Sequence, residues 1–243
     1  MRYLICFSYD GADFNGFQKQ PLKRCVESEL EKALYNINNH TVTKVVGAGR
    51  TDRGVHALCQ CAHVDLNVDI TPYKLKCAMN SFLPSDIHVF CTKVVDKNFH
   101  ARYMVKSKMY KYVVNCGEYS PLERSYVYQY CHKLDIDKMK YAIKSFIGIH
   151  DFKNFVSSEV VKDNYEREIF EAYIEQENDK ISFYFRGTGF MKYQVRNMVG
   201  TLIKIGNGKL DVDAIERILK GDDLKNKVMT VKPEGLYLVD IIY

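Results

Sequence analysis

The chain has 243 residues, 47 % of them apolar and 27 % charged, the composition of an ordinary water-soluble globular protein, and no apolar run approaches the ~20 residues a membrane helix needs. Its net charge of +5 is compatible with a polyanionic partner without requiring one. Eight cysteines, several inside apolar runs (Cys6, Cys77, Cys91), do not form a disulfide framework in a chain this long, so a reduced, cytoplasmic protein is expected.

Met1–Asp10 alternates like a strand and lacks a small-residue cleavage site, so it is not read as a signal peptide. A strand is expected at Tyr3–Tyr9, then a polar, Gly-bearing loop through Gln20. A helix follows from about Cys25 to Asn38, with Val26, Leu30, Ala33, Leu34 and Ile37 on one face. Strands are expected at Val42–Val46 and Leu58–Leu66. Thr71-Pro72 reads as an N-cap with Pro at the first helical position, opening a helix that ends by Phe82, before Pro84. Ile87–Val95 is the next strand. The order β-α-β-β-α-β over the first ~95 residues is the ferredoxin-like one.

The second half repeats this with longer strands. Lys108–Asn115 alternates, a helix runs from an Asp135 cap to about Ile147, and Glu168–Glu175 and Ile181–Arg186 form a hairpin about Asn178-Asp179. Phe190–Ile205 and Asp211–Lys220 read as helices, each stopped by glycine, and Leu236–Ile242 closes the chain. The expected fold is α+β: two ferredoxin-like halves, 1–100 with the Gly-rich segment Gly47–Ala57 and 101–243, sharing a mostly antiparallel central sheet as one continuous unit. Helices cover one side, and a cleft crosses the other.

The segment Gly47-Ala48-Gly49-Arg50-Thr51-Asp52-Arg53-Gly54-Val55-His56-Ala57 is the most unusual in the chain. Its glycines allow close backbone approach and uncover Asp52. Arg50 and Arg53 flank the carboxylate and favour its charged form. A carboxylate between arginines is a poor general acid but suits the role of nucleophile or electrostatic partner for an electron-poor sugar carbon. The guanidinium groups can contact phosphate or stack on bases.

These residues resemble the Gly-Arg-Thr-Asp-x-Gly-Val-His-Ala motif of the tRNA pseudouridine synthase A family. The resemblance spans the chain. Tyr9-Asp10-Gly11 with Phe14, Gly16, Phe17, Gln18 and Gln20 is similar to the family's opening motif, and Phe99-His100-Ala101-Arg102 with Lys108-x-Tyr110-x-Tyr112 to its central one. Phe190 with Val195-Arg196-Asn197-Met198-Val199-Gly200, and Gly235-Leu236-Tyr237-Leu238, are similar to two more. The resemblance implies the pseudouridine synthase fold and a uridine-to-pseudouridine isomerase acting on the anticodon stem-loop of tRNA, at family positions 38–40. It makes Asp52 the catalytic aspartate, Tyr110 the aromatic on which the target uracil stacks, and Arg196 the partner of the aspartate. Arg50, Arg53, Gln18 and Arg102 are the expected RNA contacts. The family pattern also implies a homodimer and needs no cofactor and no metal. Arg53 stands where the family often has a small residue, and Phe17 where Trp is more usual.

Other readings are a synthase acting on ribosomal RNA and an RNA-binding protein without catalysis. The second has no use for Asp52, because a carboxylate repels phosphate. His56, Cys59, Cys61 and His63 superficially resemble metal ligands. Alternation places Cys59, Cys61 and His63 in a row on one strand face, a poor start for a tetrahedral site.

Overall fold

The computed structural model describes residues 1–159, 161, 163–222 and 228–243. In chain order its regular elements are β1 (Arg2–Tyr9), α1 (Val26–Ile37), β2 (Val46–Gly47), β3 (His56–Asp65), α2 (Pro72–Phe82), β4 (Ile87–Val94), β5 (Ser107–Asn115), β6 (Tyr128–Gln129), α3 (Ile136–Ala142), β7 (Gly148–Asp151), β8 (Glu166–Glu177), β9 (Lys180–Gly187), α4 (Gln194–Gly206), α5 (Ala214–Lys220) and β10 (Leu236–Ile242). The fold is mixed α+β, and the pairing of its strands is mostly antiparallel. None of the helices among the described residues is long and apolar enough to cross a membrane. Two compact units emerge: Met1–Lys106 with Tyr237–Tyr243, and Ser107–Leu236. The closing strand, read from sequence with the second half, is thus part of the first unit.

In the first unit the strands lie in the order β4-β1-β3, with β2 beside one end of β3 and β10 beside the other. Both neighbours of β1 are antiparallel to it, as a ferredoxin-like β-α-β-β-α-β chain requires. Alternation along β1 turns Tyr3, Ile5, Phe7 and Tyr9 to the buried face, each at most 5 % exposed. The buried stripes of the two helices are Val26, Leu30, Ala33 and Leu34 on α1, and Leu75 and Met79 on α2. The cap of α2 is as the sequence reads it: Thr71 Oγ1 accepts from the Lys74 N–H, and Pro72 follows.

The second strand is shorter than expected. Only Val46 and Gly47 pair with β3. Val42 is exposed, and Thr43 is drawn to the end of α1 by a hydrogen bond from Asn38 Nδ2, 2.9 Å. That side-chain bond replaces the ladder expected there.

In the second unit β5-β9-β8-β7 is an antiparallel ladder, with β6 parallel to β5. Tyr110, Tyr112 and Val114 of β5 share their face with Phe185, Phe183 and Ile181 of β9. A ring cluster of Phe146, Phe152, Phe155 and Phe185 packs there, with centroids 5.2–6.4 Å apart. The helix expected from the Asp135 cap to Ile147 divides: α3 ends at Ala142 and a 3₁₀ turn carries the chain through Phe146.

Helix α4 starts four residues later than Phe190. Tyr193 sits in the left-handed region, φ +66°, and cannot be helical. The Gln194 side chain closes the preceding turn by accepting the Met191 N–H at 2.9 Å. From there α4 is buried nearly all round. At Gly200 the chain passes so close that a Cβ would stand 1.7 Å from the Met229 carbonyl oxygen.

Candidate active site

Asp52 lies in the loop from β2 to β3, and the residues beside it are fixed by contacts distant in sequence. On the N-terminal side the Thr51 hydroxyl meets the Tyr9 hydroxyl at 2.7 Å in a buried contact. The Thr51 carbonyl accepts from the Phe17 N–H at 3.1 Å. On the C-terminal side the Val55 N–H donates to the Asp52 carbonyl at 3.2 Å, and Gly54 takes φ +77° to make that turn. His56 Nδ1 then accepts the Gly11 N–H at 3.0 Å, with its ring stacked on Tyr237, centroids 4.8 Å apart. Earlier in the loop, Gln60 Nε2 donates to the Gly49 carbonyl at 3.2 Å, and Ala48 N–H donates to the Cys61 carbonyl at 2.7 Å.

Two glycines of the opening motif exist for this packing. A Cβ on Gly11 would stand 2.0 Å from the Val55 carbonyl oxygen. One on Gly16, which has φ +95°, would stand 2.9 Å from the Thr51 carbonyl oxygen. The segment 9–17 therefore lies flat against the backbone on either side of Asp52.

The loop leaves a carboxylate and two cations near its tip. Asp52 is half-buried; Arg50 and Arg53 are exposed. Thr51 and Val55, either side, are buried. Burial pushes the Tyr9 phenol up to about 12, so at neutral pH it stays a neutral hydrogen-bonding group for Thr51. Gln18, exposed, comes directly after Phe17, whose N–H holds the Thr51 carbonyl. Arg102 is exposed on the turn before β5, with its guanidinium 5.9 Å from the Tyr103 ring centroid. The same turn is anchored where the Ala101 N–H donates to His63 Nδ1 at 3.1 Å.

Tyr110 and Arg196 belong to the second unit. Tyr110, on β5, is 8 % exposed and meets Phe190 edge-to-face, centroids 5.2 Å apart. Arg196 lies in the first turn of α4 and is half-buried. Its Nε donates to the Val231 carbonyl at 2.8 Å, and its guanidinium lies 4.6 Å from the Tyr193 ring centroid. The left-handed Tyr193 is what sets that ring under the guanidinium. The Tyr112 hydroxyl donates to the Lys232 carbonyl at 2.6 Å, and Gly235 packs against the Tyr112 ring, fixing the 231–235 segment on which Arg196 rests.

The structure thus places Asp52, Arg50 and Arg53 on one loop, with Gln18 following that loop's clamp, and Tyr110 and Arg196 in the second unit. Sequence reasoning passed over Tyr9, Thr51, His56 and Tyr193 as positioning groups, although each lies in or beside a motif already singled out. His56 and His63 act as acceptors for main-chain N–H groups, and among the described residues no three His, Cys, Asp or Glu side chains converge to hold a metal ion.

A family model described as tRNA pseudouridine synthase matches residues 5–104 and 142–243. The chain is similar to the tRNA pseudouridine synthase A of Streptococcus uberis, 43 % identical over 245 residues, which covers all of this chain and 98 % of that protein. That of Streptococcus mutans is 42 % identical over 246 residues, covering all of this chain and 99 % of the relative. One from Streptococcus pneumoniae is 41 % identical over 245 residues, with 98 % of the relative covered.

Proposed function

The chain belongs to the tRNA pseudouridine synthase family, and on that footing we propose that Asp52 is the nucleophile with which it isomerises uridines of the tRNA anticodon stem-loop. The observation that carries the reading is the clamp on the Asp52 loop. Tyr9, Phe17 and Gly11 fix the residues on both sides of one half-buried carboxylate, which is how a nucleophile is held to a small volume.

The reaction is an isomerisation. The N1–C1′ bond of uridine breaks, the uracil turns in place, and C1′ bonds to C5. The proton on C5 leaves, and N1 gains one. Nothing is oxidised or reduced. The target base must first leave its stack, at a cost of a few kcal/mol, and find another aromatic surface. Tyr110 supplies that surface in this reading, and its edge contact with Phe190 holds the ring in one orientation. The family resemblance makes Arg196 the partner of the Asp52 carboxylate in this reading; within its own unit Arg196 is held by the Val231 carbonyl and the Tyr193 ring. Arg50, Arg53, Gln18 and Arg102 contact RNA; all four are exposed. A homodimer in the cytoplasm is the setting that the family resemblance gives, and sedimentation of the purified chain tests the dimer.

Substrate choice is tested by treating total tRNA and ribosomal RNA with the enzyme and mapping pseudouridine by carbodiimide-blocked reverse transcription. Stops confined to the anticodon arm of tRNA support the reading. Stops in ribosomal RNA, with none in tRNA, contradict it.

A further inference from the structure

Four of the eight cysteines gather on one face of the first unit's sheet. Cys6 of β1 lies directly opposite Cys61 of β3 and, on its other side, opposite Cys91 of β4. Cys59 precedes Cys61 by two residues, so strand alternation puts it on the same face. The Cys6 and Cys61 sulfurs are 3.3 Å apart, with the Cys61 thiol donating. Cys61 is buried; Cys6, Cys59 and Cys91 are half-buried and open to a small reagent. The four thiols lie on the face opposite Tyr3, Ile5, Phe7 and Tyr9, the face that packs the core, and none takes part in the clamp on Asp52.

We propose that Cys6 and Cys61 are a redox pair, in which a hydroperoxide oxidises Cys6 and Cys61 resolves it to a reversible cross-strand disulfide. In the first step the Cys6 thiolate attacks a peroxide oxygen. The O–O bond breaks, hydroxide or alkoxide leaves and takes up a proton, and Cys6 becomes a sulfenic acid. In the second, the Cys61 sulfur attacks the sulfenic sulfur. The S–S bond forms, the S–O bond breaks, and the oxygen departs as water with the Cys61 proton. The two thiols have then given two electrons to the peroxide, and an external dithiol returns them.

Cys6 faces both Cys61 and Cys91 across antiparallel pairs, and the 3.3 Å contact between the Cys6 and Cys61 sulfurs singles out that pair. Residues directly opposite on antiparallel strands have Cα atoms about 4.5–5.5 Å apart, inside the roughly 4.4–6.8 Å span of disulfides. The roles follow from the hydrogen bond: the Cys61 S–H stabilises charge on Cys6 and holds that thiol below its ordinary value, with Lys93 adding to the effect, while Cys61 itself is pushed up. Cys6 is therefore the attacking thiol and Cys61 the resolving one. The two cysteines are 55 residues apart, and the whole Asp52 loop lies between them.

The experiment is peptide mapping of the full chain after equimolar hydrogen peroxide and alkylation of remaining thiols. The expected product is 2 Da lighter, carries a Cys6–Cys61 link, is restored by dithiothreitol, and melts at a higher temperature than the reduced form because a long loop is closed. Cys77, exposed on α2, stays alkylatable and is the internal control. With Cys61→Ser, Cys6 stops at the sulfenic acid, trapped with dimedone, and passes to sulfinic acid only when a second equivalent of peroxide is added; with Cys6→Ser, no link forms. A link from Cys6 to Cys91, a Cys59–Cys61 link, sulfinic acid at Cys6 in the wild type, or oxidation at Cys77 with Cys6 untouched would each overturn the proposal. The wild-type map decides the matter even if a variant fails to fold.

Discussion

Replacing Tyr9 by Phe removes one oxygen atom and leaves the packing otherwise intact, which isolates the clamp on Asp52. The Tyr9 hydroxyl meets Thr51 Oγ1 at 2.7 Å, and the two residues are 5 % and 8 % exposed, so water cannot readily replace the lost partner. A buried hydroxyl stranded this way costs about 1–3 kcal/mol. For a chain of this size that lowers Tm by roughly 2–4 °C per kcal/mol. The catalytic effect should be larger than the stability effect, since Thr51 is bonded directly to Asp52 and a displacement of ~1 Å at a reacting group can cost ~100-fold in rate. Steady-state assays of tRNA isomerisation should show kcat falling about 10- to 100-fold with KM for tRNA unchanged. Thr51→Val, which removes the other partner, should match it, and the double variant should be no slower than either single one, because both remove the same contact. If Tyr9→Phe retained kcat within about twofold of wild type while losing stability, the clamp would be structural only and the argument from loop position would fail.

The remaining predictions concern backbone fit, protonation and stacking. Gly11→Ala would place a Cβ 2.0 Å from the Val55 carbonyl oxygen, so the loop must move; activity should fall at least tenfold, whereas Gly208→Ala, at φ +75° with open space around it, should leave activity unchanged and cost about 1 kcal/mol of stability. His63 is held neutral by burial, with the Arg2 charge adding to the effect, and its pKa is lowered to about 4. A depressed His value means that the unfolded chain takes up the proton first. Stability from this group is therefore complete above about pH 6.5 and declines by roughly 1–2 kcal/mol as pH falls from 7 to 5. Thermal melts of wild type and His63→Gln should diverge over that window, and an imidazole signal titrating near 6.5 in the folded chain would refute the assignment. Tyr110→Phe should keep most substrate affinity because the ring remains, while Tyr110→Ala should lose about 1–3 kcal/mol, as base stacking does when its aromatic is removed.

What could be read in the sequence follows the range of the interactions that decide each feature. The Thr71-Pro72 start of α2, the Asp135 cap of α3 and the Gly221 stop of α5 are local signals, and each is where the residues indicate. The two hydrophobic periodicities, two for β1 and 3.6 for α1, likewise show without any partner. The failures lie where a distant or side-chain contact outweighs the local pattern. Val42–Val46 has strand residues, but Asn38 captures Thr43. Phe190–Tyr193 has helix-compatible residues, but a left-handed Tyr193 and the Gln194 side chain make a turn of it. At the candidate site the Asp52 loop was conspicuous by its glycines and arginines. Its clamp was not, since Tyr9 and Thr51 are 42 residues apart and Gly11 and His56 are 45 apart. The thiol row was hidden for the same reason: Cys6, Cys61 and Cys91 come together only through strand register.

The most direct test of the central claim is tritium release from tRNA labelled at uridine C5, since that hydrogen must leave when C5 bonds to C1′. Wild type and Asp52→Asn would be compared at equal tRNA occupancy, measured by filter binding. Steady release is expected from the wild type and, from Asp52→Asn, binding within a few-fold of wild type with no release above background. Multiple turnover by Asp52→Asn at a rate near wild type would contradict this expectation and remove Asp52 from the chemistry.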